Sequence, residues 1–198
     1  ETGGPARHLA MVLCHRTGWD AAREDKEGCR QAVEAAVARR GVAAKVRPHD
    51  WPGEGDQAAF SLVFPDDGPS VAVVIPTHDR PDLLQPCLES LRATTYRNWK
   101  AVVLDNHNSH PQALELLRRH GHVLEAPNPH GVFNYAAIHN QAVRRLDADL
   151  VVFLNDDTVA LDPRWLSQMV GYASLPGVGA VGARAILGAA PRKGTFLL

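Results

Sequence analysis

The sequence predicts an α/β fold with a mainly parallel sheet flanked by helices. From residue 71 onward, short apolar runs of strand length alternate with segments of helical periodicity. The first run, VAVVIPT (71–77), is apolar almost throughout, as expected for a strand that is covered on both faces. Strands that alternate with helices form parallel sheets through right-handed crossovers. We therefore expect a Rossmann-like sheet.

The elements after the first strand follow in regular order. Pro81 suits the first turn of a helix, and its apolar face consists of Leu83, Leu84, Cys87, Leu88 and Leu91. Further helices are predicted at 111–121, 134–146 and 163–173. Further strands are predicted at 100–106, 122–127, 150–155 and 179–187.

Residues 1–69 have a different pattern. A helix of about five turns is predicted over 19–41, with Asp20 as N-cap and Gly41 as the left-handed stop. Short strands are predicted at 42–46 and 59–64, on either side of a loop. The loop PDDGPS (65–70) is the candidate boundary. We predict one unit over 1–69 and a second over 70–198.

Composition excludes several classes of function. The net charge of −1 gives no electrostatic reason to expect a nucleic-acid or membrane-surface partner. No apolar run approaches the ~18 residues of a membrane-spanning helix. The three cysteines are odd in number and widely spaced, which favours reduced thiols in a cytosolic protein. The chain opens with ETGGPARHLA, without Met, which we interpret as a fragment.

Three strands end in polar residues: PTHD (76–79), LDNHNS (104–109) and LNDDT (154–158). In open parallel sheets, ligands collect outside the carboxyl ends of the strands. These three segments hold most of the side chains that could carry chemistry. We therefore place the candidate site at this edge of the sheet.

The adjacent carboxylates of Asp156 and Asp157 follow the strand at 150–155. Neighbouring carboxylates repel each other unless a cation lies between them. A hard cation such as Mg²⁺ or Mn²⁺ suits carboxylate ligands and could neutralise a diphosphate. The alternative is a solvated acidic loop.

The other two strand ends offer groups for a flat ligand. Asp105 could accept hydrogen bonds from a ligand, or it could simply close a turn or cap a helix. Thr77 and His78 end the first strand, and the imidazole could stack on a base. Asp79 is interpreted as a helix cap and Arg80 as a solvated charge.

The sequence matches none of four other common site motifs. The ten histidines match no zinc spacing. The glycines of LPGVGAVGARAIL precede a predicted strand instead of following one, so they are not a dinucleotide fingerprint. No phosphate-binding P-loop and no nucleophile elbow occur.

Three segments together resemble glycosyltransferase family 2. They are VAVVIPTHDRPDLLQPCLESLRATTYRNWKAVVLDN, then GVFNYAAIHNQAV, then ADLVVFLNDDT with the residues up to Leu187. The similarity is greatest to the bacterial branch that builds surface polysaccharide. It implies the nucleotide-binding half of a GT-A fold and a metal-dependent, inverting transfer of sugar. It also implies a nucleotide-sugar donor and a glycan or lipid-linked glycan acceptor.

The resemblance implies roles for matched residues. Pro76, Thr77 and His78 would line the base pocket, and Asp105 would bind the base. Asn134 would face the diphosphate, and Asp156 the ribose or sugar. Asp157 would hold the Mg²⁺ or Mn²⁺ ion.

The sequence departs from the family pattern at two places. The acidic triplet of the family usually begins with Asp, where this chain has Asn155. The loop DNHNSH replaces the common DNGSTD, so the role of this loop is open.

No catalytic base is assigned. In the family the base lies in the acceptor-binding half, and Asp162 is the only acidic residue after Asp157. Asp162 precedes Pro163 in the position of a helix N-cap. We therefore expect a chain that is truncated before the acceptor half, which binds donor and metal but transfers no sugar alone.

Residues 1–69 resemble a connector to further transferase modules of the same polypeptide. The expected location is the cytoplasm, with peripheral attachment at the inner face of the membrane as an alternative. Two other functions stay open at this point: a nucleotidyltransferase, and a non-catalytic scaffold that binds no nucleotide.

Overall fold

The structure is a computed structural model that describes residues 26–48, 59–128 and 133–183, with the backbone of 186–187 and 196–197. The helices are α1 (Lys26–Arg39), α2 (Pro81–Leu91), α3 (Pro111–His120), α4 (Tyr135–Val143) and α5 (Trp165–Ala173). The strands are β1 (Lys45–Pro48), β2 (Phe60–Val63), β3 (Val71–Thr77), β4 (Trp99–Asp105), β5 (Val123–Glu125), β6 (Leu150–Phe153), β7 (Thr158–Val159), β8 (Ile186–Leu187) and β9 (Phe196–Leu197).

The central sheet has four strands in the order β5-β4-β3-β6, and all of its pairings are parallel. Thr77 pairs with Asp105 in the register of β3 and β4, so these two strands end side by side. β1 and β2 form a separate antiparallel pair, and β7, β9 and β8 form a small third sheet. The predicted α/β fold with a mainly parallel sheet is confirmed.

Helices cover the central sheet on both faces, and all seven residues of β3 are buried. On one face, Val73 and Ile75 pack with apolar side chains of α2, α3 and α5. On the other face, Val74 packs with Ile138 and Ala142 of α4. Burial on both faces explains the uninterrupted apolar run of β3, because a strand exposed on one face would alternate with polar residues.

Local signals position the helices beside the strand ends. Pro81 opens α2 and Pro111 opens α3, where the missing N–H of proline costs no hydrogen bond. Gly121 ends α3 in the left-handed region at φ 78°, and its N–H donates to the carbonyl of Leu117 at 3.1 Å. Gly41 follows α1 at φ 63°, as predicted.

Some predicted boundaries were wrong. Residues 179–183 form no strand, and β8 comprises Ile186–Leu187. Gly179 and Gly182 are exposed and supply no side chain that could pack on the sheet. Arg47 and Pro48 belong to β1 and not to a loop. The predicted N-cap Asp20 lies outside the described residues.

The segment that precedes β3 packs on the second unit. Phe64 is buried, and its carbonyl accepts a hydrogen bond from Nη2 of Arg164 at 2.8 Å. Asp66 accepts from the hydroxyls of Thr95 at 2.9 Å and Ser167 at 2.6 Å. Residues 64–66 of the predicted first unit thus contact the second unit. Among the helices of the described residues, none is long and apolar enough to cross a membrane.

Candidate active site

A cavity of about 330 Å³ opens at the carboxyl ends of β3 and β6. Its size falls in the range of small-molecule sites. Ten described residues line it: Pro76, Thr77, His78, Arg80, Asn106, Phe133, Tyr135, Asn155, Asp156 and Asp157. Five of the seven predicted site residues are in this set, whereas Asp105 and Asn134 are not.

The acidic pair lies in the turn between β6 and β7, which the N–H of Thr158 closes by donating to the carbonyl of Asn155 at 3.2 Å. Burial raises the pKa of the Asp156 carboxyl, and the neighbouring charge of Asp157 raises it further. Burial also raises the pKa of Asp157. The charged form of each carboxyl is thus disfavoured here in the absence of a cation.

Two buried oxygen atoms at the pair have no hydrogen-bond partner among the described residues: Oδ1 of Asp157 and Oγ1 of Thr77. The Thr77 hydroxyl lies close enough to Asp156 to oppose the rise in the pKa of that carboxyl. However, the contact falls short of hydrogen-bond geometry. A buried polar atom without a partner is costly, so both atoms are available to a ligand.

These residues fit a hard divalent cation. Within the described parts of the chain, no cluster of three or more His, Cys, Asp or Glu side chains could hold a metal ion. Mg²⁺ is commonly held by one or two carboxylates, with water and substrate phosphates as its other ligands. Asp157, with its unpartnered buried oxygen, is the better candidate for a direct ligand.

His78 is held at the end of β3 beside the cavity. Its Nδ1 lies 2.7 Å from the carbonyl oxygen of Asn106, so Nδ1 carries the proton and donates. Asn106 is itself buried, and its Oδ1 accepts from the N–H of Asn128 at 3.0 Å. The exposed imidazole is therefore fixed at one nitrogen, which leaves a ring face for a flat ligand.

Asp105 turns toward the loop that follows β4. Its Oδ1 accepts from the backbone N–H of Asn108 at 2.8 Å and from Nδ2 of Asn108 at 2.7 Å. This is the turn-closing role that the sequence left open as an alternative. The half-buried carboxylate retains a second oxygen, and binding of a base by Asp105 stays a prediction.

Asp79 does not cap α2, whose first turn lacks a side-chain cap. Instead its carboxylate accepts from the N–H groups of Ser109 at 2.6 Å and His110 at 2.7 Å, and from the Ser109 hydroxyl at 2.7 Å. Its own N–H donates to Oδ1 of Asn108 at 2.7 Å. The loop DNHNSH therefore ties the end of β4 to the end of β3.

Asn134 is the N-cap of α4. Its side-chain oxygen accepts from the N–H of Ala137 at 3.0 Å, and its own N–H donates to Oδ1 of Asn128 at 2.8 Å. Its neighbours Phe133 and Tyr135 line the cavity, with 64% and 40% of their surfaces exposed. Asn134 thus lies next to the cavity wall, and its proposed diphosphate contact stays a prediction.

Five lining residues were not among the predicted site residues: Arg80, Asn106, Phe133, Tyr135 and Asn155. Arg80 was interpreted as a solvated charge, although its place three residues after β3 puts it at a strand end. Tyr135 stacks on His139 with ring centroids 3.9 Å apart, and the edge of Phe153 meets His139 at 4.8 Å. The segment FNY (133–135), at the start of the helix predicted at 134–146, was the available signal for the aromatic side of the cavity.

Residues 72–193 match the family model of glycosyl transferase family 2. This match covers more than half of the chain, and the chain therefore belongs to glycosyl transferase family 2.

Two relatives share sequence with this chain over part of their length. The O-antigen biosynthesis protein RfbC of Myxococcus xanthus is 32% identical over 189 residues, which is 89% of this chain and 14% of that protein. The uncharacterized protein y4gI of Sinorhizobium fredii is 37% identical over 134 residues, which is 64% of this chain and 14% of that protein. The chain thus spans 14% of the length of each relative.

A solved structure is similar to part of the chain. It is the mannosyltransferase PcManGT from Pyrobaculum calidifontis in complex with GDP-Man and Mn²⁺. The TM-score is 0.48 at 18% identity, over 76% of this chain and 41% of that chain.

Proposed function

We propose that this chain binds the donor in a glycosyltransferase that makes a bacterial surface polysaccharide. The donor is a nucleotide-sugar, and the acceptor is a glycan or lipid-linked glycan. Membership of glycosyl transferase family 2 supports the transfer of a sugar. The name of the relative RfbC, an O-antigen biosynthesis protein, supports a polysaccharide as the product.

The observation that carries the proposal is the acidic pair at the edge of the cavity. Asp157 presents a buried oxygen that has no partner in the described parts of the chain, and burial raises the pKa of both carboxyls. A divalent cation and a diphosphate together would satisfy such a pair. We assign Asp157 to the metal, Mg²⁺ or Mn²⁺, and Asp156 to the ribose or the sugar.

The base of the nucleotide is assigned to the end of β3. Pro76 and Thr77 form the wall of the cavity there, and the fixed ring of His78 offers a stacking surface. Asp105 is assigned to hydrogen bonds with the base through its second oxygen. Asn134, beside the exposed Phe133 and Tyr135, is assigned to the diphosphate.

Transfer with inversion requires the acceptor hydroxyl to attack the anomeric carbon from the face opposite the diphosphate. When a divalent metal is bound, it supplies Lewis-acid stabilisation of the charge that develops on the leaving diphosphate. The residues of this chain hold the nucleoside and orient the diphosphate over the acidic pair. A general base must take the proton of the acceptor hydroxyl, and we assign that role to no residue here.

We also propose that residues 1–69 form a connector to further transferase modules. The separate β1–β2 pair supports this view, because it forms its own small sheet. Phe64 and Asp66 then fasten the connector to the second unit through Arg164 and Ser167.

Titration calorimetry with UDP and GDP, with and without Mn²⁺, tests the proposed function. The wild-type chain is expected to bind one of these nucleotides more tightly with Mn²⁺. Loss of a group that only supports a metal ligand costs about 10–100-fold in affinity. Asp157→Ala should weaken nucleotide binding in the presence of Mn²⁺ by at least this factor. It should also abolish the dependence of nucleotide affinity on Mn²⁺.

Asp147→Ala is the matched control, since Asp147 is an exposed carboxylate outside the cavity. It should bind like the wild type. Unchanged Mn²⁺-dependent affinity in Asp157→Ala would remove the metal assignment. Absence of nucleotide binding in the wild type would favour a scaffold without nucleotide chemistry.

A further inference from the structure

Arg80 is the only Lys or Arg among the described residues that line the cavity, and the two carboxyls of the acidic pair line the same cavity. Arg80 stands at the N-cap position of α2, three residues after the end of β3. The hydrogen bond to Asp82 and its charge raise the pKa of Arg80 most, and the charges of Asp156 and Asp157 add to that rise. Arg80 in turn opposes the rise in the pKa of both carboxyls of the pair.

The present partner of Arg80 is a weak one. Nε lies 3.2 Å from Oδ1 of Asp82, and Nη2 lies 3.4 Å from Oδ2. The side chains of Arg80 and Asp82 are 55% and 38% exposed. Exposed ion pairs of this kind contribute little to stability. The guanidinium can therefore exchange Asp82 for another anion at small cost.

We propose that Arg80 is a mobile counter-ion that serves the acidic pair in the free protein and the donor diphosphate in the loaded protein. This inference rests on the proposed function, because the diphosphate belongs to the nucleotide-sugar. A metal ion at Asp157 would repel the guanidinium, whereas a diphosphate would attract it. A guanidinium also matches phosphate oxygens through two parallel hydrogen bonds.

The proposal has a consequence that a structural role for Arg80 would not produce. In the free protein, Arg80 and the metal ion compete for the negative charge of the acidic pair. In the loaded protein, Arg80 adds hydrogen bonds to the diphosphate. Arg80 thus weakens the binding of metal alone and strengthens the binding of metal with diphosphate, which couples the two ligands thermodynamically.

The experiment uses two probes: Mn²⁺ alone, followed by its EPR signal, and pyrophosphate in the presence of Mn²⁺, followed by calorimetry. Arg80→Gln is expected to bind Mn²⁺ alone about 5-fold more tightly, in line with the lower range of typical couplings. The same variant is expected to bind pyrophosphate about 10-fold more weakly, as for a lost charge-assisted hydrogen bond. The two affinities should change in opposite directions.

Two further variants sharpen the test. Asp82→Asn removes the competing carboxylate, so it should strengthen pyrophosphate binding and weaken the binding of Mn²⁺ alone. Arg97→Gln is the matched control, because Arg97 forms an exposed ion pair with Asp67 at 3.0 Å and does not line the cavity. It should leave both affinities unchanged. Thermal melts of all variants confirm that each is folded.

The outcomes separate this inference from the proposed function. Wild-type Mn²⁺-dependent binding of UDP or GDP, together with opposite shifts in Arg80→Gln, supports both. Wild-type nucleotide binding with no shift in Arg80→Gln, or with two shifts in the same direction, overturns the inference alone. Failure of the wild type to bind any of these nucleotides overturns the proposed function, and the inference with it.

Discussion

The carboxylate of Asp105 holds Asn108 at two points, because its Oδ1 accepts both the backbone N–H and the side-chain amide of that residue. The side-chain oxygen of Asn108 in turn accepts from the N–H of Asp79. Its Nδ2 donates to the carbonyl oxygen of Thr77 at 3.2 Å. The residue proposed to bind the base is therefore also the residue that organises the loop between two strand ends.

Asp105→Asn separates these two roles. An asparagine oxygen can still accept from Asn108, so the loop should persist, whereas the negative charge offered to the base is lost. We expect about 10-fold weaker binding of UDP or GDP with an unchanged requirement for Mn²⁺, measured by calorimetry. Asn108→Ala should lower the melting temperature, and its loss of nucleotide affinity should be smaller than that of Asp105→Asn. An equal loss of affinity in both variants would mean that Asp105 acts through the loop.

Asp79 gives the fold a defined pH dependence. Hydrogen bonds from the backbone of His110, then from the Ser109 hydroxyl and backbone, lower the pKa of Asp79 from 3.8 to about 2. A carboxyl with a depressed pKa in the folded state stabilises the fold above its unfolded pKa. That contribution is lost as the pH falls from about 4 to about 2.

Asp79→Asn tests this dependence, and asparagine tolerates the left-handed backbone at φ 50° of this position. The variant should melt several degrees below the wild type at pH 7. The difference should shrink as the pH is lowered from 4 toward 2, because the wild-type carboxyl then takes up its proton. A constant difference between pH 7 and pH 3 would contradict the assignment.

Much of the fold follows from local pattern. β3 spans the residues predicted from its apolar run, and α2 begins at Pro81 as predicted. Both signals act within one element, so the sequence displays them directly. The strand predicted at 179–187 was wrong over 179–183, because the small residues there give an apolar pattern without side chains large enough to pack.

The sequence predicted the position of the candidate site at the strand ends, but it did not predict the contacts of the side chains there. Asp156 and Asp157 were singled out because two adjacent carboxylates after an apolar strand are unusual. The turn that Asp105 closes on Asn108 spans three residues, and the sequence left it open as an alternative. The partners of Asp79 were not found, because they lie about 30 positions away in the chain. Arg80 was missed for a related reason: only the fold brings it into the same cavity as the acidic pair.

Phe64 and Gly171 fit together where the segment before β3 meets α5. A Cβ added at Gly171 would overlap the ring of Phe64, which also meets Tyr172 edge-on with centroids 4.9 Å apart. Alanine in a helix gains up to about 1 kcal/mol over glycine. Overpacking of a buried ring costs about 1–3 kcal/mol. We expect the clash to prevail, because the overlap involves the body of a buried ring and not the end of a flexible chain.

Gly171→Ala should therefore lower the free energy of unfolding, measured by urea titration. Gly182→Ala is the control, since nothing lies within 4 Å of an added Cβ there. In a Phe64→Ala background, Gly171→Ala should cost little, which a double-mutant cycle would show as a coupling between the two sites. An equal cost in both backgrounds would mean that Phe64 does not dock on Gly171.

Substitutions at Asn134 can distinguish its role as a helix cap from its proposed role in ligand binding. As the N-cap of α4 it accepts from the N–H of Ala137, and loss of such a cap costs about 1 kcal/mol. Asn134→Ala should thus lower the melting temperature by about 2–4 °C for a chain of this size.

Asn134→Asp should keep the cap, since a carboxylate at a helix N-terminus accepts the same hydrogen bond and is favoured by the helix dipole. Its melting temperature should match or exceed that of the wild type. If Asn134 faces the diphosphate, the new negative charge will repel that group. Calorimetry should then show weaker Mn²⁺-dependent binding of UDP or GDP, with nucleoside binding unchanged. A variant that is as stable as the wild type and binds the diphosphate equally well would confine Asn134 to the helix, and the diphosphate would then need its contacts from Arg80 and the metal.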